Sequence, residues 1–113
     1  MELTGKKILI KLKVKNKGNR LLITAIDNLI RTIASKHWKS KEEVRTDRPD
    51  ADQVHPDGFY FFDLHIHRTM VMIEVGEDAE ATVVWAGTHQ EYENIFKNNK
   101  DVIKKWLSDK DWI

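Results

Sequence analysis

Residues 59–75, FYFFDLHIHRTMVMIEV, decide how this chain folds. The stretch is rich in aromatic and β-branched residues, which favour strands. As one straight strand its 17 residues would extend about 56 Å at roughly 3.3 Å per residue. A domain of about 100 residues has a radius of gyration near 13 Å, so that length does not fit unbent. A reversal must lie inside, and the polar run DLHIHR, residues 63–68, is the place for it. His65 and His67 are therefore expected at or beside a turn. Gly76, Glu77 and Asp78 supply a second turn, and ATVVWAG, residues 81–87, supplies the last strand. The strand opened by Arg68 should then run antiparallel to the last one.

Downstream, THQEYENIFKNNKDVIKKWLSD begins with a capping box, Thr88 with Glu91. Tyr92, Ile95, Phe96, Asn99, Ile103 and Trp106 share one helical face, which predicts a single helix over residues 88–107 with His89 in its first turn. Upstream, the apolar spacing of Leu22, Ala25, Ile26, Leu29, Ile30 and Ile33 predicts a helix from Arg20 to Lys36, capped by Asn19. Ser40 and Glu43 form a second capping box for a short helix that ends before Pro49. RPDADQVHPDG, residues 48–58, reads as an acidic loop.

The first segment, KKILIKLKVKNKGN, alternates. Ile8, Ile10, Leu12 and Val14 fall on one side, and Lys7, Lys11, Lys13 and Lys15 fall on the other with Leu9. That predicts a half-buried strand ended by Gly18 and Asn19. Its lysines could guard a sheet edge or hold phosphates. The order is strand, helix, short helix, three strands, helix. It predicts an α+β fold in one domain over residues 1–113: a three- or four-stranded, antiparallel-rich sheet with N-terminal helices and a C-terminal helix.

The 113 residues contain no cysteine, which excludes Cys-based zinc sites, a thiol nucleophile and a disulfide scaffold. No apolar run reaches the roughly 20 residues that span a bilayer, and the start is lysine-rich, so a soluble, unprocessed, cytoplasmic protein with no membrane partner is expected. The formal net charge of +1 conceals an asymmetry. Residues 1–48 carry 13 Lys and Arg against 5 Asp and Glu, whereas residues 49–113 carry 6 against 13. The first part is thus a candidate surface for a polyanion.

Several of these segments together resemble the RelE-like messenger-RNA interferase toxins, and most closely the HigB toxin family. Trp38 with KSKEEV resembles the family's tryptophan and short capped helix, and FYFFDL its second strand. His67–Arg68 resembles its strand-opening aromatic–Arg pair, and WAGTHQEYE its Gly-Thr-His-x-x-Tyr signature. The likeness covers roughly residues 21–95. It implies a small RelE-like fold and the toxin of a type II toxin–antitoxin pair, which enters the ribosomal A site and cuts messenger RNA without a metal or other cofactor, inhibiting translation. It also implies a helix-turn-helix antitoxin as partner, beside the ribosome and the message. Where RelE-type relatives place lysines on the second strand, this sequence has Phe61 and Asp63.

Metal-independent RNA cleavage needs a base for the 2′-OH, a cation for the charged phosphorane and an acid for the leaving 5′-oxygen. Arg68 is the candidate for the phosphate, because a planar guanidinium matches its oxygens. The carboxylate of Asp63 or Glu74 could pair with it instead. His89 is the candidate for proton transfer, at a helix start where unpaired amides favour a phosphate. Tyr92, one turn on, could stack with a base or aid proton transfer, or pack in the core. His67 is a further catalytic candidate, expected near a shallow groove shared by Arg68 and His89 with Tyr92 on its rim. His65, Lys39, Arg45 and Arg48 are candidate RNA contacts. Two other readings compete. A metal hydrolase would use the alternating Asp63, His65 and His67, with His89 as a further ligand; a non-catalytic RNA- or protein-binding module would need none of this chemistry.

Overall fold

A computed structural model describes residues 1–113. Ten elements follow one another: β1 (Glu2–Thr4), α1 (Lys6–Lys15), α2 (Arg20–Ser35), α3 (Lys41–Asp47), β2 (Asp52–His55), β3 (Phe59–Leu64), β4 (His67–Glu74), β5 (Glu80–Thr88), α4 (His89–Phe96) and α5 (Lys100–Asp109). The fold is α+β, with one five-stranded sheet in the order β1-β5-β4-β3-β2. Every neighbouring pair is antiparallel except β1 with β5, which is parallel.

The reversal inside residues 59–75 falls at His65–Ile66. His65 takes a left-handed φ of 59° there, a geometry that lets two residues join antiparallel strands. Alternation along β3 then feeds two cores, one on each side of the sheet. Tyr60, Phe62 and Leu64 face α2, whose Leu22, Ile26, Leu29 and Ile33 are all fully buried. Burial of each such side chain contributes about 2 kcal/mol. Phe59 and Phe61 face the opposite way, against Tyr92 and Phe96 of α4 and Ile103 and Leu107 of α5. The helices thus enclose the sheet on both faces. Asn19 caps α2 by accepting from the Leu22 amide, and Ser40 caps α3 by accepting from the Glu43 amide.

Three sequence expectations are corrected. Residues 6–15 form a helix, because Leu9, assigned to the lysine side of a strand, is the fully buried residue, and Ile8 and Leu12 pack beside it at helical spacing. The edge position beside β5 is instead taken by β1, and Gly5, at φ 75°, turns the chain directly into α1. The acidic loop contains β2, whose residues pair with Phe59–Phe61. The single C-terminal helix is two, broken where Lys97 and Asn98 both adopt left-handed φ and Asn99 caps α5. No helix is long and apolar enough to cross a membrane.

Candidate active site

Arg68 is the second residue of β4 and lies directly opposite Asp63 of β3. Alternation turns its side chain toward α4 and the second core. Its Nε donates to Asp63 Oδ1 at 3.2 Å. Its guanidinium carbon lies 4.5 Å from the ring centre of Tyr92 and 5.1 Å from that of Phe61. The side chain is only 13% exposed. The cation is therefore packed against two aromatic rings and fixed at one end by a carboxylate, which leaves its terminal nitrogens with no carboxylate partner.

The same tyrosine connects Arg68 to His89. At the junction of β5 and α4, Thr88 and Glu91 complete the capping box, with Oγ1 of Thr88 3.0 Å from the Glu91 amide and Oε1 of Glu91 2.9 Å from the Thr88 amide. The hydrogen bond from the Thr88 backbone holds the Glu91 carboxyl below its ordinary value. The His89 amide donates to the Ile66 carbonyl at 3.0 Å, which fastens the start of α4 onto the β3–β4 turn. The His89 side chain is 58% exposed, and its ring lies 5.6 Å from that of Tyr92. Tyr92 is buried, and its hydroxyl donates to Asn98 Oδ1 at 3.0 Å. Burial raises the Tyr92 hydroxyl above its ordinary value, against an opposing effect of Arg68. Tyr92 is thus a platform beneath the site rather than its rim.

Other sequence candidates lie elsewhere. His67 is opposite Leu64, on the α2 side of the sheet, so its side chain and that of Arg68 point in opposite directions. It is buried, its Nδ1 finds no hydrogen-bond partner, and burial lowers its pKa, with Glu91 opposing. Arg48 is committed to Asp50, with Nε and one terminal nitrogen each 2.7 Å from a carboxylate oxygen. Burial raises Asp50, but the Arg48 hydrogen bond and the Asp63 amide outweigh it and leave the group below its ordinary value. Lys39 lies beside Gly76 and Glu77, at the end of β4 remote from Arg68. Arg45 sits on α3, near Tyr60 and the first core. His65 is exposed in the turn. Asp63 and His67 face opposite sides, so the Asp63–His65–His67 alternation does not converge, and no group of three His, Cys, Asp or Glu is placed to hold a metal.

A sequence model of the HigB toxins, described as the RelE-like toxic component of a toxin–antitoxin system, matches residues 23–95. The chain belongs to the HigB toxin family. No curated protein matches its sequence. As a HigB-type toxin it has an antitoxin as its implied partner. The matched stretch contains Phe61, Asp63, Arg68, His89 and Tyr92, while α1 and α5 lie outside it.

Two residues of the candidate site make contacts that the sequence does not assign to them. Phe61 was a strand former there, yet it forms the second face of the arginine clamp; its place two residues before Asp63 on the same strand face was the available signal. Asn98 holds the Tyr92 hydroxyl from the α4–α5 junction, and the Asn98–Asn99 pair, typical of helix ends, was a signal for that break.

Proposed function

We propose that this HigB-type toxin is a ribosome-dependent endoribonuclease that cuts messenger RNA without a metal and so inhibits translation. The observation that carries the reading is the shared platform: Arg68 and His89 both contact the ring of Tyr92, one as a fixed cation and the other as an exposed imidazole. A phosphodiester bound above this buried ring would meet the terminal nitrogens of Arg68 and the exposed imidazole of His89. In its neutral form His89 accepts the proton of the 2′-OH, whose oxygen then bonds to phosphorus. Arg68 holds the charge that gathers on the phosphoryl oxygens. The bond to the 5′-oxygen breaks, that oxygen takes up a proton, and the products are a 2′,3′-cyclic phosphate and a 5′-hydroxyl.

Tyr92 serves the reaction as a buried support that positions Arg68 and His89, since its ring is covered and its hydroxyl is engaged by Asn98. His67 drops out of this reading because it faces the other side of the sheet. The test is cleavage of a defined message in a reconstituted translation reaction supplied with chelator. His89→Ala is expected to lower the cleavage rate by about 10²–10⁴-fold, as for loss of a proton-transfer group. Because His89 is exposed, its fold should be unchanged. Wild-type cleavage by the folded variant would refute the assignment. A wild-type protein that binds ribosomes and blocks translation with every message intact would point instead to a non-catalytic binding module.

A further inference from the structure

Helix α1 presents a surface that the nuclease reading does not use. Leu9, Ile8 and Leu12 hold it against the sheet, yet Ile10 is 51% exposed and Val14 is 66% exposed. Those two residues are four apart and form one aliphatic ridge on the outer face. Lysines surround it. Residues 6–17 contain six, and no Asp or Glu occurs between Gly5 and Ile26. Among the six, only Lys13 is ion-paired, to Asp27 at 2.6 Å.

We infer that this ridge is the docking surface for an acidic, amphipathic segment of the antitoxin. The inference rests on the family membership that implies such a partner, and it is independent of the cleavage chemistry. RNA backbone would satisfy the lysines but has nothing to cover two aliphatic side chains. A protein segment carrying carboxylates on either side of an apolar stripe satisfies both. The position also gives the contact a consequence. Between α1 and the edge of β5 lies a shallow hollow of about 260 Å³, lined by Ile8, Lys11, Leu12, Lys15, Gly87 and Glu91 among others. Gly87 is opposite Arg68 in the β4–β5 register, and Glu91 caps the helix that carries His89. The hollow beside α1 therefore lies one strand away from Arg68, next to the helix start that presents His89.

The experiment titrates the full-length protein with the protein encoded in the adjacent reading frame. Each variant is also expressed alone to score growth arrest. Ile10→Ser combined with Val14→Ser should weaken the complex about tenfold or more, as for loss of a pair of interface anchors, and leave arrest by the toxin alone unchanged. Lys7→Glu combined with Lys11→Glu should slow association and reduce its dependence on salt. Melting temperatures should match the wild type, since all four side chains are exposed.

Affinities within twofold of wild type for both variants overturn the proposal, as does wild-type protein that does not bind the neighbour's product. Loss of arrest with antitoxin binding intact makes the ridge an RNA surface and also overturns it. So does a ridge variant that only dissociates a toxin self-assembly. If binding weakens as expected while wild-type protein cuts no message, docking stands and the nuclease reading fails.

Discussion

Replacing Arg68 by glutamine separates the structural role of this residue from its proposed chemical one. The stability cost follows from its contacts. Stacking over Tyr92 and Phe61 contributes about 1 kcal/mol per ring. The ion pair with Asp63, whose side chain is 59% exposed, contributes less than about 1 kcal/mol after solvent screening. Arg68→Gln should therefore lose about 2–3 kcal/mol, less than the roughly 5–15 kcal/mol typical of a domain, and it stays folded. The chemical cost is separate. Removing a preorganised donor from a developing negative charge costs about 3–4 kcal/mol, or roughly 10²–10³ in rate. Arg68→Lys keeps the charge but loses the planar fork, so its rate should fall between wild type and glutamine. The assay pairs cleavage of a defined message during reconstituted translation with urea denaturation of the same preparations. Folded Arg68→Gln that cuts within threefold of the wild-type rate would refute the phosphate role and leave Arg68 a structural clamp.

Two further predictions concern the fold. Burial lowers the folded-state pKa of His67 below 6.5, so the unfolded chain binds its proton more tightly. Its stability contribution is complete above pH 6.5 and falls as pH drops from there toward the folded value. Urea midpoints taken between pH 8 and pH 5 should fall more steeply for wild type than for His67→Leu, and parallel profiles would show that protonation of this imidazole is not linked to folding. A β-carbon at Gly87 would lie 2.7 Å from the Trp85 ring and 3.1 Å from Glu91 Oε1. Gly87→Ala should cost about 1–3 kcal/mol through overpacking, read as a fall in melting temperature; an unchanged melting curve would show that the junction has room to spare.

The reversal within residues 59–75 was legible because length alone forbade a straight strand. The caps at Asn19, Ser40 and Thr88 were legible because each is a local hydrogen bond between a side chain and a nearby amide. The meeting of Arg68, His89 and Tyr92 was legible once the direction of the hairpin was known. The separation of His67 from Arg68 was also there to be read, since adjacent residues on a strand face opposite ways. The resemblance of HisArg to a family pair masked that consequence.

What the sequence by itself determined is therefore local or forced by length: the turn at His65–Ile66, the starts of α2, α3 and α4, and the alternation that divides β3 between two cores. Tertiary structure decided the rest. In residues 6–15 the alternate Ile8, Ile10, Leu12 and Val14 fit a strand, and Ile8, Leu9 and Leu12 fit a helix. The helix forms because β1 already pairs with β5, while burying Leu9 between the sheet and α2 leaves Ile10 and Val14 outside. The β-bulge between Met70 and Val71 in the β4–β5 register sends Val84 and Trp85 to the same core, which no period of two anticipates. Asp63 likewise became the anchor of Arg68 only when β3 and β4 paired in that register. A period in sequence specifies which residues share a face, but the partner that face meets depends on which sheet edges and helix surfaces the remaining chain has already covered.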